Sequence, residues 1–345
     1  MTITNFQYFI LFVSSYVLVG ILTPIMRKVA LSKGILDQPD SSHKTHVSPT
    51  PYLGGIAIII GVVFVTYISL LLSNFTLNNF FLASSLILPA LALGLIGLWD
   101  DIKKLSPFPR FIGQSIAALV VSLLLIAGNN LGNPTGSTVL DIAITIVWIV
   151  GICNSINFFD NLDGGAAGTT AISAIALTYL AINNGQTSIA ALSLVLSGAT
   201  LGFLIWNKPP ARIYMGDAGA LFLGVLLATL SIRLNPSTNS QIASFATPIL
   251  ILAVPILDTT VAVVSRLRRR ISPFQGGRDH LSHRLIRAGV SRKLTVIILW
   301  SLSIIFSLFA IWVSSFDSRY ESLWILIALL LWVALFMRFI TTSDE

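Results

Sequence analysis

Apolar stretches long enough to cross a lipid bilayer recur along almost the whole chain, and no other feature narrows the fold so far. A hydrocarbon core of about 30 Å needs about 20 apolar residues in a helix, because backbone N–H and C=O groups find no water there and must pair within the segment. Eleven stretches fit, at approximately 6–26, 53–72, 80–99, 111–127, 139–153, 169–182, 188–206, 218–232, 245–265, 294–313 and 323–340. The fifth, sixth and eighth are short. Charged residues make up 10% of the 345, where a water-soluble domain has about 25%. The expected fold is all-α: a polytopic membrane helix bundle of eleven spans, one domain over 1–345, without an internal repeat. The one cysteine, Cys153, excludes an internal disulfide and a cysteine zinc site. No Lys or Arg precedes Phe6, so the first stretch reads as a span and not as a cleaved leader.

The basic residues orient this bundle. Of the 21 Lys and Arg, all but Arg233 and Arg319 fall in or beside the connections after odd-numbered spans, and so do all 4 His. Basic loops stay on the cytoplasmic side. The N-terminus is therefore expected outside and the C-terminus inside, in a multi-pass plasma (inner) membrane protein. Cytoplasmic loops then lie near 27–52, 100–110, 154–168, 207–217 and 266–293.

Acidic residues gather on the same side, beside the span ends. Carboxylates at a bilayer boundary are costly unless they bind something, and this many point to a hard divalent cation. The pair Asp100-Asp101 ends the third span; the alternative reading is a solvated loop neutralised by Lys103 and Lys104. In the segment from Asn154 to Gly165, polar residues recur every third position at Asn154, Asn157, Asp160 and Asp163, which would set them on one helical face. Asp217, in Tyr214-Met215-Gly216-Asp217-Ala218-Gly219, can either meet a ligand or cap the eighth helix. The arginines from Arg266 to Arg270 read by default as a stop signal or anionic-lipid contacts. Farther along, Gly276-Gly277-Arg278-Asp279-His280-Leu281-Ser282-His283-Arg284 mixes flexible backbone with His and Arg, which suits a diphosphate. Histidines also bind zinc, but the Asp-rich surroundings favour Mg²⁺, with Mn²⁺ as a substitute. Asp258, within the ninth span, reads as an interhelical polar contact.

In this order, from about His43 to Leu285, these segments resemble the polyprenyl-phosphate N-acetylhexosamine-1-phosphate transferases, glycosyltransferase family 4. Asp100 and Asp101 match the family's acidic pair, and Asn157, Asp160 and Asp163 its Asn-x-x-Asp-x-x-Asp segment. Asp217 matches the acid of its Met-Gly-Asp-x-Gly motif, His280 and His283 the outer members of its histidine motif, and Lys44, His46 and Gly54-Gly55 its first loop. Asn161, Gly165, Ala218 and Ser282 depart from the usual Gly, Leu, Ser/Thr and His.

The resemblance implies transfer of a sugar phosphate from a UDP-N-acetylhexosamine to polyprenyl phosphate, undecaprenyl phosphate in bacteria, with release of UMP. Asp100, Asp101, Asp160, Asp217 and His280 would take part in catalysis, with Mg²⁺ on Asp217 helped by Asp100 and Asp101. Lys44, His46, Asn157, Asp163, Tyr214, Arg278 and His283 would bind substrate, Asp163 and Tyr214 at the uridine, and His280, His283 and Arg278 at the sugar phosphate. Direct attack by the prenyl phosphate and a phospho-enzyme on an Asp are both open. Eleven spans, an inside C-terminus and the region of Ser272-Pro273-Phe274 are closer to the UDP-N-acetylglucosamine branch than to the phospho-N-acetylmuramoyl-pentapeptide transferases, which typically have ten spans. Membrane lipid is the other expected partner, a homodimer is compatible, and no nucleic acid is expected. A transporter or lipid-carrier flippase is the competing class, although such proteins usually set polar sites at midplane between repeats.

Overall fold

The structure is a computed structural model that describes residues 3–37, 49–73, 76–127, 135–234, 241–273, 277–315 and 318–342. Its helices run in chain order as α1 (Asn5–Lys33), α2 (Gly54–Leu72), α3 (Leu77–Lys103), α4 (Pro107–Ala127), α5 (Thr138–Phe159), α6 (Gly165–Asn183), α7 (Thr187–Asn207) and α8 (Gly216–Arg233). Then come α9 (Gln241–Ile251), α10 (Ala253–Arg268), the short α11 (Leu281–Arg287), α12 (Arg292–Ser315) and α13 (Ser318–Ile340). A two-residue antiparallel pair, β1 (Leu36–Asp37) with β2 (Thr50–Pro51), lies between α1 and α2. The fold is an all-α polytopic membrane bundle. Among the described residues, 10 helices are long and apolar enough to span, or 11 if the bent pair α9–α10 counts as one. The stretches that look short in sequence are full helices, because their polar ends continue the same backbone pattern.

The ninth span departs from expectation. A continuous helix over 245–265 is expected, whereas α9 and α10 meet at a 73° bend. Pro255 has no N–H to give the Ile251 carbonyl four residues back. That carbonyl instead accepts from Ser173 Oγ at 2.9 Å, and Trp332 Nε1 donates to the Ala253 carbonyl at 3.2 Å. A break in a membrane helix persists where neighbouring helices take up the freed groups, as here.

α8 is the axis of the bundle: every residue from Ala218 to Ser231 is buried. It packs most extensively on α3 and α5, while α1 leans on α7 and α13 is mostly left to lipid. In a membrane, helices gain from close backbone approach at small residues, since lipid is as apolar as a side chain. Gly97 serves this purpose between α3 and α8, where an added Cβ would lie 2.4 Å from the Asp217 carbonyl oxygen. Gly97→Ala is therefore expected to destabilise the detergent-solubilised protein by about 1–3 kcal/mol through overpacking. Gly151→Ala, at a position with nothing within 4 Å, should leave the thermal melt unchanged. Equal melting of the two variants would contradict the tight α3–α8 seam.

Candidate active site

At one end of the bundle the α1–α2, α3–α4, α5–α6, α7–α8 and α10–α11 connections converge on a cleft of about 520 Å³. Asp100, Asp101, Asn157, Asp160, Asp163, Tyr214, Asp217, His280 and His283 all line it. Arg278 is exposed and not among the lining residues, and Lys44 and His46 lie outside the described residues.

The start of α8 organises the acids. Gly216 has φ 74°, a conformation that disfavours a side chain, and a Cβ there would sit 2.6 Å from Asp101 Oδ2. Asp101 reaches across from α3 to cap this helix: its Oδ1 accepts from the Asp217 N–H at 2.9 Å and its Oδ2 from the Ala218 N–H at 3.1 Å. The cap that the sequence allowed to Asp217 is thus supplied by Asp101. Both Asp101 oxygens are engaged in it. Asp217 is left to face the cleft, where its Oδ1 accepts from Asn157 Nδ2 at 2.8 Å.

Sequence reasoning missed Arg110. Its Nη1 lies 2.6 Å from Asp217 Oδ2 and 2.7 Å from Asp100 Oδ2, so one guanidinium bridges two acids from different helices. Asp100 also accepts from the Leu105 N–H at 2.5 Å. The available signal was a lone basic residue at the start of α4, one short connection after an acidic pair.

The Asn/Asp segment is only half helical. Asn154 and Asn157 are on α5, which ends at Phe159, and Asp160 to Gly164 turn into α6. Asn154 donates to Gln114 Oε1 at 2.7 Å. Asp163 Oδ2 accepts from the Ala211 N–H at 2.9 Å, tying this turn to the α7–α8 connection. Asn207 and Trp300 brace the same turn: Asn207 Oδ1 accepts from the Gly164 N–H at 2.9 Å, and Trp300 Nε1 donates to the Gly164 carbonyl at 3.1 Å. Asp160 accepts no hydrogen bond from any described residue. Burial, then the nearby charges of Asp217, Asp101 and Asp163, hold its carboxyl well above the usual carboxylate range.

Tyr214 enters through the backbone. Its N–H donates to the Pro51 carbonyl at 2.8 Å, and its carbonyl accepts from the Gly54 N–H at 3.0 Å, which brings the first loop against the Met-Gly-Asp segment. Burial and then the Asp163 carboxylate push its phenol up to about 12, so it stays neutral. The Tyr52 hydroxyl donates to the Asp101 carbonyl at 2.7 Å.

On the opposite wall, Asp279 is buried between Arg266 and Arg269, with two bonds from Arg266 at 2.9 and 2.8 Å and one from Arg269 at 2.8 Å. These arginines, read in sequence as a stop signal or anionic-lipid contacts, hold Asp279, the residue before the cleft-lining His280. Burial works to raise the Asp279 carboxyl, but the Arg266 pair outweighs it and holds the group below its ordinary value. Burial, the largest cause, lowers His283 to about 4, so its imidazole is neutral near pH 7. Ser282, where the related motif carries a middle His, hydrogen-bonds to Asn161 Oδ1, another departure from the pattern. Asp258, expected to make an interhelical contact, does so: fully buried on α10, it bonds His280 and the Leu281 N–H at the start of α11.

Among the described residues, no three His, Cys, Asp or Glu side chains already form a metal cage. Asp100 and Asp217 nevertheless offer an all-oxygen pair whose charge a single guanidinium offsets only in part. That donor chemistry fits Mg²⁺, which binds through one or two carboxylates and completes its shell with phosphate oxygens and water.

Comparison with known proteins gives the family. A profile for glycosyl transferase family 4 matches residues 83–235. A Bacillus subtilis protein named probable undecaprenyl-phosphate N-acetylglucosaminyl 1-phosphate transferase is 33% identical over 95% of this chain and 90% of its own length. The decaprenyl-phosphate N-acetylglucosaminephosphotransferase of Mycobacterium tuberculosis (strain H37Rv) is 33% identical over 80% of this chain and 74% of its own. A phospho-N-acetylmuramoyl-pentapeptide-transferase of Staphylococcus carnosus is 27% identical over 88% and 97%. The chain belongs to glycosyl transferase family 4, on the side of the polyprenyl-phosphate N-acetylglucosamine-1-phosphate transferases rather than that of the phospho-N-acetylmuramoyl-pentapeptide transferases.

Proposed function

We propose that this protein transfers N-acetylglucosamine 1-phosphate from a UDP-sugar to polyprenyl phosphate with release of UMP, using Mg²⁺ at Asp217, on the cytoplasmic face of the inner membrane. The observation that carries this reading is the paired oxygen-donor acids Asp217 and Asp100, at the mouth of a cleft built by five connections. A second cavity of about 480 Å³ supports a lipid acceptor. It is lined mainly by apolar groups, among them Ile144, Val147, Trp148 and Ile152 of α5 and Ile256 of α10. These positions lie toward the membrane interior from Asn157, so a prenyl tail could lie in lipid-like surroundings while its phosphate meets the acids. The bias of basic residues supports the cytoplasmic placement.

Phosphoryl transfer depends on in-line positioning and charge neutralisation more than on covalent help. A phosphate monoester has its second pKa near ~6, so the prenyl phosphate is already largely dianionic at neutral pH and can attack the sugar-linked phosphorus directly. Asp217 would orient the diphosphate, Asn157 holds the Asp217 carboxylate, and Arg110 is free to exchange Asp100 for a phosphate oxygen. Bound Mg²⁺ supplies charge neutralisation at the departing UMP. Asp163 and Tyr214 form the uridine side, and Gly277 with His283 the sugar-phosphate side.

Three outcomes test this reading. In detergent with Mg²⁺, UMP release should require both UDP-N-acetylglucosamine and polyprenyl phosphate, and UDP-N-acetylmuramoyl-pentapeptide should not replace the donor. Release of stoichiometric UMP without acceptor would instead indicate a phospho-enzyme. Asp217→Asn should lower turnover by about 10²–10³-fold, the scale for losing one electrostatic contact to the transition state, with an unchanged melting temperature. Arg110→Gln leaves two acids facing each other, so the metal-free protein should melt about 1–2 °C lower, the scale for roughly 1 kcal/mol in a chain of this size. Added Mg²⁺ should recover more of that loss in the variant than it adds to the parent. A variant that melts like the parent and ignores Mg²⁺ would refute the shared-charge role.

A further inference from the structure

His280 is held by both ring nitrogens, and the chemistry of its partners fixes where its proton lies. On one edge, Nδ1 is 2.7 Å from Asp258 Oδ2, while Asp258 Oδ1 accepts from the Leu281 N–H at 2.7 Å. On the other, Nε2 is 3.2 Å from Arg266 Nη2. A guanidinium has hydrogens to give and no lone pair to offer. Nε2 must therefore accept, and the proton sits on Nδ1, facing the carboxylate. Arg266 cannot turn aside cheaply: Asp279 takes two of its hydrogens, and the Pro273 carbonyl accepts from its Nη1 at 2.7 Å. A proton added at Nε2 would point at the guanidinium. Asp258 and Arg266 are almost wholly buried, so solvent does little to soften these demands.

We propose that Asp258 is a positioning residue that locks His280 in the Nδ1–H tautomer, making the imidazole a fixed link from Asp258 and Arg266 of α10 to the start of α11 rather than a proton donor to the leaving group. This rests on the transferase reading only for its kinetic consequence. The link sets the backbone of 277–283, which brings Gly277 and His283 to the cleft wall. His280 is thereby reassigned from the catalytic part that the family resemblance implied to a structural one next to the donor subsite.

Asp258→Asn gives the test, because an amide must donate on one side. With its oxygen kept by the Leu281 N–H, its NH₂ faces Nδ1, and the ring must present a lone pair there and N–H at Nε2, against Arg266. In protein labelled with [¹⁵N]histidine, His280→Asn assigns the His280 signals among the 4 histidines. Near pH 7 the parent should show the Nδ1–H tautomer, and Asp258→Asn should switch it or broaden it. With UDP-sugar as the varied substrate, Asp258→Asn should raise KM about tenfold, the scale of one lost hydrogen bond, while kcat changes by less than about threefold. His280→Asn, which keeps a donor toward Asp258, should do the same, and the double variant should be no worse than either single. An Nε2–H or doubly protonated ring in the parent would overturn the proposal. So would a collapse of kcat in His280→Asn at unchanged KM, or fully additive effects in the double variant. Absence of UMP release from the parent would defeat the transferase reading alone, since the tautomer is read without substrate.

Discussion

The capping of α8 by Asp101 is the contact on which the site depends. A helix that begins inside a bundle leaves N–H groups without partners, and no water replaces them there. Asp101 supplies both missing acceptors from another helix, so satisfying the backbone also fixes the register of α3 against α8. Gly97 and Gly216 make the approach sterically possible at the two ends of that contact. The consequence is electrostatic as much as structural. With the helix start already occupied, the Asp217 carboxylate is released toward the cleft.

Several carboxylates close together should repel, and their grouping is stable only because positive charge is built in between them. Arg110 bridges Asp100 and Asp217, while Arg266 and Arg269 enclose Asp279 on the opposite wall. The two clusters differ in kind. The Asp279 pair is buried and saturated, so it works as scaffold. Around Arg110 the side chains remain about a quarter exposed, at 25% for Arg110 and 27% for Asp217, which leaves room for ligand oxygens to exchange with the guanidinium. Asp160, with no donor of its own among the described residues, is held toward its neutral form by burial and its acidic neighbours, a constraint that an incoming cation would also relieve.

The bundle was legible because one bulk property decides it: apolar length sets the spans, and the helical period does the rest. The break between α9 and α10 was not, although Pro255 stands in the sequence. Whether Pro255 bends a span or is absorbed depends on a neighbour such as Ser173, and that contact is set only by packing. The same limit applies to the site. Asn157 and Asp163 stand out by their three-residue spacing and Asp217 by its glycine-flanked motif, but what each one touches belongs to other helices. Arg110 was overlooked because one of the two acids it bridges, Asp217, is 107 positions away. Arg266 was misread for a related reason: basic residues after a span have a general explanation in membrane topology, and only the buried Asp279 shows that this one is spent inside the protein.

α10 joins two surfaces that a straight span would have kept apart. Its Ile256, Thr259 and Thr260 line the lateral apolar cavity against α5, and its Asp258 and Arg266 hold the His280 segment. Asp258 sits between those cavity-lining residues in sequence, so a rotation of α10 that changed the cavity wall would also move the carboxylate. Because that carboxylate makes two short bonds to consecutive residues, His280 and Leu281, it would carry the start of α11 with it. The bend at Leu252 therefore does more than accommodate proline. It aims one helix so that the lipid-facing cavity and the polar wall of the cleft share a single rigid support, and neither can be repositioned alone.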